Sequence, residues 1–357
     1  MARALVAMSG GVDSSVVAAL LVREGHEVIG VTFNQWPIGR NTRNEGSGCC
    51  TPRTIDDARD VCRILDVPHY VLNFRREFEA AVVEPWAAAY LRGDTPNPCV
   101  MCNDRVRFPE LIRKADELGA DFVSTGHYAR VTDGPPWRLQ RAYDAVKDQS
   151  YVLYMLQQEQ LQRIRLPIGG LSKSDVRDIA TEFELPVADK PDSQEICFVP
   201  SGGYASVVHR YGSTGAGAIV DTKGEVVGRH NGLETVTVGQ RRGLGLGGGT
   251  ARRYVRAVDV SRNTAVVGTS SELGARTFRV DNVRWVNGPE WEPPRIAKVQ
   301  MRSHGAAFTA RLRSLSGTEV KLVFDQEVRA PATGQAAVFY RDDEVMGGGI
   351  IAGSDVS

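Results

Sequence analysis

Several patterns are missing from this 357-residue sequence, and each absence closes a line of interpretation. No Gly-x-x-x-x-Gly-Lys-Ser/Thr run occurs, so the phosphate loop of kinases and GTPases is not supported. No N-terminal signal pattern and no apolar run of membrane-spanning length is found, which makes the cytoplasm the default location and leaves no membrane partner to expect. Net charge is absent as well, since 43 Lys and Arg balance 43 Asp and Glu. Cysteine is sparse. In a reducing compartment its six residues are free thiols, metal ligands or catalytic groups, not structural disulfides. Cys99-x-x-Cys102 has no second ligand pair at comparable spacing, so zinc lacks half of its shell and no metal ligands are read from spacing.

The charges that are present divide unevenly. Residues 1–200 carry 23 basic against 28 acidic side chains, whereas residues 201–357 carry 20 against 15, so the basic surface lies toward the C-terminus, as contact with nucleic acid would require. The length calls for two or three domains. Up to about Pro200, buried strands alternate with helices: Ala4–Met8, Val16–Arg23, His26–Phe33, Ala58–Leu65, His69–Phe74, Arg75–Arg92, Pro109–Leu118 and Phe122–Thr125. That order predicts a doubly wound parallel sheet, with ligands at the carboxyl ends of its strands. Residues 34–53, with Cys49 and Cys50, read as a surface loop. Beyond Pro200 helical periodicity fades into short alternating segments, which predict two small β modules. The expected domains are 1–200, 201–273 and 274–357.

The chain is organised around Ser9-Gly10-Gly11-Val12-Asp13-Ser14-Ser15, between the first strand and the first helix. Glycines allow a sharp turn and close approach of a ligand, and the helix start offers unpaired N–H groups to an anion. Asp13 is expected either to cap the helix or to support a metal bound to phosphate.

Four further stretches carry polar or sulfur chemistry. In Gly93-Asp-Thr-Pro-Asn-Pro-Cys99-Val-Met-Cys102-Asn103 the two prolines predict a stiff loop, and a nucleophilic thiol is the reading left once zinc and a thioredoxin-like pair lose their context. Arg105 and Arg107 are near enough in sequence to lower its pKa. Gly126 and His127 follow a strand end, Lys147-Asp148-Gln149-Ser150 precedes an expected helix over 151–162, and Cys197 sits in an apolar, strand-like stretch where structural burial is the default. The literal Gly243-x-Gly245-x-x-Gly248 is not read as a dinucleotide site, because Thr250 to Val260, immediately beyond it, is strand-like and not helical. It reads as a hinge that leaves Arg241 and Arg242 free for RNA phosphates.

Together, Ser-Gly-Gly-Val-Asp-Ser, Thr-Pro-Asn-Pro-Cys-Val-Met-Cys-Asn, Thr-Gly-His-Tyr, Lys-Asp-Gln-Ser-Tyr, Asp-Ser-x-x-Ile-Cys-Phe, Gly-Gln-Arg-Arg-Gly-Leu-Gly and Gly-Gln-Ala-Ala-Val-Phe-Tyr340 resemble the bacterial tRNA-specific 2-thiouridylases, end to end and in order. The resemblance implies an α/β PP-loop ATP pyrophosphatase domain (adenine nucleotide alpha hydrolase-like) followed by two β-barrel-like modules, the last binding tRNA. It implies ATP-dependent replacement of the position-two oxygen of the wobble uridine in lysine, glutamate and glutamine tRNAs by sulfur. By the same resemblance Cys197 carries a persulfide and Cys102 resolves it, leaving a Cys102–Cys197 disulfide. ATP, with magnesium, falls to Ala7, Met8, Ser9, Gly10, Gly11, Val12, Asp13, Ser14, Phe33 and Gly126. Contacts to tRNA fall to Asn97, Pro98, Cys99, His127, Lys147, Asp148, Gln149, Arg302, Ser303 and Gln335. A cysteine desulfurase or relay protein is the implied sulfur donor. Cys99 stands where many members have Asp, and Ser303 where an aromatic is often found. That extra thiol opens an alternative in which Cys99, Cys102 and Cys197 hold an iron–sulfur cluster. Competing functional readings are an amidating or ligating AMP-forming synthetase and a non-catalytic RNA-binding protein.

Overall fold

A computed structural model describes residues 1–35, 52–132, 134–192, 196–200, 203–246, 252–288 and 295–354. The loop expected over 34–53, with Cys49 and Cys50, falls almost wholly outside them, as does Gly248.

Alternating apolar residues build the first sheet. Strand β1 (Arg3–Ala7) sends Ala4 and Val6 into one apolar core and Leu5 into another, so both sheet faces are covered. β1 is flanked by β2 (Glu27–Asn34) and β4 (Phe122–Thr125), with β3 (His69–Asn73) beyond β2. A short later strand, β7 (Ile164–Arg165), pairs outside β4, and all four pairings are parallel. The strand order β3-β2-β1-β4-β7 reverses direction between β1 and β4, which is where a doubly wound sheet opens a crevice for a ligand.

Helix α1 (Val12–Arg23) and α2 (Pro52–Ile64) cover one face. The long helix expected over 75–92 is α3 (Arg75–Phe78) and α4 (Glu84–Leu91) joined by a π turn over Glu79–Val83. The proline-rich stretch is not wholly a loop. Pro98 opens a short helix, α5 (Pro98–Cys102), at the one position where a missing N–H costs nothing, and Asn97 caps it by accepting from the N–H groups of Cys99 (2.9 Å) and Val100 (3.4 Å). A second π turn, Asn103–Arg107, leads into α6 (Phe108–Glu117). The helix expected over 151–162 does not form. Residues Ser150–Val152 make a 3-10 turn and only α7 (Gln158–Leu161) is helical, while Tyr151 to Leu156 are buried throughout. α8 (Lys173–Glu182), opened by a Ser172/Asp175 capping box, and the one-turn α9 (Ala205–Val208) complete the helices.

The hairpin β5 (Ala129–Thr132) and β6 (Arg138–Arg141) leaves the first domain and joins a later sheet. A central module pairs β8 (Gly217–Val220), β9 (Val226–His230), β10 (Tyr254–Asp259) and β11 (Thr264–Gly268) around Ile219, Val255, Ala265 and Val267. Between β9 and β10 the chain makes a 3-10 turn, Leu233–Thr235. The last module is a closed six-stranded barrel, β12 (Gly274–Trp285), β15 (Glu319–Arg329), β14 (Ala307–Ser316), β13 (Ile296–Gln300), β16 (Ala336–Arg341) and β17 (Glu344–Ser354), with β17 returning to β12.

One core runs from the parallel sheet into the barrel: Leu5, Val31 and Val123 share it with Leu153, Leu156, Val338 and Tyr340. Full burial of a leucine such as Leu153 contributes roughly 1.5–3 kcal/mol. Tyr151 donates its hydroxyl to the Ala336 carbonyl at 2.8 Å, and the Ser150 and Tyr340 hydroxyls lie 3.1 Å apart. The barrel is thus packed directly against the parallel-sheet domain.

Candidate active site

The loop after β1 is built from its own backbone. Gly10 adopts φ +69°, and Gly11 precedes α1 with no side-chain cap, so the helix-start N–H groups are not consumed by Asp13 or Ser14. Ser14 Oγ instead folds back to accept from the Ser9 N–H (3.1 Å) and to donate to the Gly11 carbonyl (3.1 Å), which fixes the loop from inside. The loop after β4 closes over it: a β-carbon on Gly126 would stand 2.8 Å from the Ser14 nitrogen. Ala7 ends β1, Met8 is buried and its carbonyl accepts from the Thr32 hydroxyl at 2.8 Å, and Val12 is buried under the loop. Phe33, near the end of β2, is buried against Phe74 with ring centroids 4.6 Å apart.

Cations reach this loop from sequence positions far away. Asp13 Oδ1 accepts from the Tyr128 hydroxyl (2.8 Å) and from Lys173 Nζ (2.7 Å), so Asp13 does not cap the helix. Lys190 donates to the Gly10 carbonyl at 2.7 Å and pairs with Asp57. Asp192 accepts from Lys147 on Oδ2 and forms an ion pair with Lys173 on Oδ1, each at 2.7 Å. Helix-start N–H groups beside Lys173 and Lys190 make a receptor for a multiply charged phosphate chain.

The thiols lie at the same sheet edge. Gln35, just past β2, points its Nε2 at Cys102 Sγ, 3.9 Å away. Cys102 is buried in an apolar cluster with Trp86, Phe78 and Phe198, and half-buried Cys197 packs against that cluster. Cys62, Cys99, Cys102 and Cys197 are all present as thiols. Cys99 is exposed, whereas Cys102 on the same short helix is buried. Among the described residues no group of three His, Cys, Asp or Glu is gathered to hold a metal.

The π turn after Cys102 aims Arg107 inward. Its guanidinium donates to Asn103 Oδ1 (3.0 Å) and approaches His127 Nε2 (3.4 Å), and Asn103 in turn donates to the Val152 carbonyl. A guanidinium can only donate, so Nε2 accepts and the proton sits on Nδ1, which donates to Thr125 Oγ1 at 2.7 Å. Burial, reinforced by the Arg107 charge, pushes the His127 pKa down to about 3, and the ring is neutral at any working pH. Arg105 points elsewhere, to the Ala81 carbonyl.

Family models match the whole length in three pieces. One described as tRNA methyl transferase HUP domain covers residues 2–201, one described as tRNA methyl transferase PRC-barrel domain covers 205–269, and one described as aminomethyltransferase beta-barrel domain covers 275–351. A protein of Chloroflexus aurantiacus named tRNA-specific 2-thiouridylase MnmA is 45% identical over 361 residues, spanning 100% of both chains. Proteins of the same name from Moorella thermoacetica and Geobacter metallireducens are 44% and 45% identical, covering 97% and 98% of this chain and 98% and 96% of their own. This chain belongs to the tRNA-specific 2-thiouridylase family. Among solved structures, a 4-thiouridine synthetase–RNA complex with bound ATP overlaps 55% of this chain and 45% of its own, at 18% identity and a TM-score of 0.37, a likeness that carries no functional argument. The methyl-transfer wording of the family models and the sulfur-transfer name of the full-length relatives differ. The site favours the latter, because methyl transfer has no use for a pyrophosphate-type loop with thiols beside it.

In this thiouridylase the expected tRNA contacts fall into two groups. Asn97, Pro98, Cys99 and Lys147 stand at or beside the thiol edge. Asp148 is turned inward, accepting from Arg141 (2.7 Å), from the Ser150 hydroxyl (3.0 Å) and from the Ala142 N–H (3.0 Å). Gln149 is paired with the Tyr128 backbone in both directions. In the barrel, the exposed Arg302 donates to the Ala330 carbonyl, the Ser303 carbonyl accepts from Gln300, and Gln335 donates to the Thr95 carbonyl ahead of α5. Gly239 takes φ +87° and its carbonyl accepts from Arg329, and Arg241 and Arg242 are exposed. Sequence reasoning gave no role to Lys173, Lys190 or Asp57, and quoted Asp192 only within the Asp-Ser-x-x-Ile-Cys-Phe motif. Lys173 and Lys190 meet the loop across 160 and 180 residues, and no local pattern announces them.

Proposed function

We propose that this protein adenylates the position-two oxygen of the wobble uridine in lysine, glutamate and glutamine tRNAs and replaces it with sulfur. An uncharged carbonyl oxygen does not leave a pyrimidine ring. Joined to the α-phosphate of ATP, with pyrophosphate released, it departs as AMP when a sulfur nucleophile attacks the ring carbon.

The loop of Ser9 to Ser14, with Lys173 and Lys190, suits the departing phosphates, and Phe33 and Gly126 are suited to the adenosine side. Magnesium is expected to arrive on the nucleotide's phosphates, since no protein ligand group is assembled among the described residues, and no step here depends on it. Cys197 carries the sulfur as a persulfide. Its terminal sulfur bonds to the ring carbon as the carbon–oxygen bond to AMP breaks. Cys102 then attacks Cys197 Sγ, forming a Cys102–Cys197 disulfide as the sulfur is freed onto the base, and an external thiol restores both cysteines. Neutral His127, fixed between Arg107 and Thr125, sets a rigid wall beside the place proposed for the extruded base. A desulfurase or persulfide relay protein supplies the sulfur, in the cytoplasm. The domains are taken as 1–200, 201–273 and 274–357, the last as the tRNA-binding barrel.

One observation carries the reading: Cys102 and Cys197 meet one apolar cluster at the sheet edge that also bears the phosphate-type loop. An amidating synthetase has no need of that pairing, and a passive RNA-binding protein has no need of the loop. ATP–pyrophosphate exchange stimulated by bulk tRNA is the test. Stimulation by aspartate or ammonia instead would favour a synthetase, and no stimulation a binding protein.

A further inference from the structure

Asp192 joins two parts of the site that the reaction uses at different moments. It lies five residues before Cys197, and its two oxygens hold Lys147 and Lys173, with Arg177 3.6 Å away. Lys173 is shared: the same Nζ that reaches Asp192 also reaches Asp13 in the nucleotide loop, each at 2.7 Å. The Lys173 side chain is 14% exposed and Asp192 20%, so these pairs are only partly screened by water. Burial alone would raise the Asp192 pKa, yet the two lysines outweigh it and hold the carboxylate ionised.

We propose that Asp192 is a positioning residue that holds Lys147 and Lys173 when no phosphate is bound and yields them to pyrophosphate, coupling phosphate occupancy to the placement of Cys197. The proposal rests on the thiolation reading for its purpose. Its physics is a competition between anions: one carboxylate with a single charge against a pyrophosphate with several, for the same two ammonium groups. Five residues span at most about 17 Å of chain, so a change at Asp192 is short-tethered to Cys197. Linkage makes the effect mutual. If pyrophosphate shifts Cys197, the state of the Asp192 contacts must shift pyrophosphate affinity.

The test uses the full chain and inorganic pyrophosphate. Asp192→Asn removes the competing charge, so pyrophosphate binding by calorimetry should tighten on the order of tenfold, a direction that mere structural damage would not produce. In a Lys147→Met, Lys173→Met background the same change should have little effect, since both ammonium groups that Asp192 holds are gone. In the unmodified protein, saturating pyrophosphate should alter the rate of iodoacetamide alkylation at Cys197, followed by peptide mass spectrometry, by about fivefold or more. Asp192→Asn should abolish that response. Pyrophosphate binding no tighter in Asp192→Asn, or Cys197 alkylation indifferent to pyrophosphate in the unmodified protein, would overturn the proposal. Neither readout involves tRNA or a sulfur donor, so failure of thiolation and failure of this coupling are separately visible.

Discussion

Gly126 and Ser14 are in backbone contact: a β-carbon on Gly126 would lie 2.8 Å from the Ser14 nitrogen and 3.1 Å from the Asp13 carbonyl carbon. The loop after β4 therefore presses on the N–H groups that open α1, across the point where the strand order reverses. Gly126→Ala must push the two loops apart. Overpacking of this kind costs roughly 1–3 kcal/mol, so the KM for ATP in pyrophosphate exchange should rise about tenfold or more. Thermal stability should fall far less than it would for a core residue.

His127 gives a pH dependence of known sign. Its folded pKa, about 3, lies below the ordinary 6.5, so between those values the unfolded chain binds the extra proton. The stability that His127 contributes is complete above pH 6.5 and is lost as pH falls toward 3. Urea midpoints at about pH 7.5 and about pH 5 should differ more for the unmodified protein than for His127→Asn. Equal differences would show that the ring is not held neutral by its surroundings.

Gly334 and Gln335 tie the barrel to the segment that leads into α5. Gly334 has φ +85°, and a β-carbon there would come within 3.1 Å of the Thr95 and Pro96 nitrogens. The Gln335 amide donates to the Thr95 carbonyl, and the Thr95 N–H donates to the Thr333 carbonyl at 2.8 Å. Gly334→Val should displace Cys99 and Cys102 together. The expected signature in exchange assays is a loss of tRNA stimulation with the KM for ATP unchanged.

The β1-loop-α1 unit was legible because a strand, a glycine turn and a helix succeed one another locally, and so was the parallel sheet it begins. The features that escaped the sequence were tertiary. Pro96 and Pro98 suggested loop throughout, but Pro98 stands at the first helical position under the Asn97 cap. The last strand, β17, was hidden by Gly347-Gly348-Gly349, which break the alternating pattern. Each is there for a neighbour: β-carbons would meet the carbonyls of Arg284, Ala337 and Asp281 at 2.3, 2.7 and 2.6 Å where the barrel closes. Lys147 and Asp148 looked like one polar cluster at a helix start. In the fold they part, Lys147 to Asp192 near the nucleotide loop and Asp148 to Arg141, which stacks 3.6 Å over the Tyr340 ring and carries the link on to the barrel.

The most direct measurement is mass spectrometry of anticodon nucleosides after tRNA is incubated with ATP and a persulfide source. The unmodified protein should produce 2-thiouridine at the wobble position. Cys102→Ala and Cys197→Ala should each yield none while keeping tRNA-stimulated pyrophosphate exchange. Thiolation at the unmodified rate by the doubly substituted protein, or thiolation without ATP, would contradict the account.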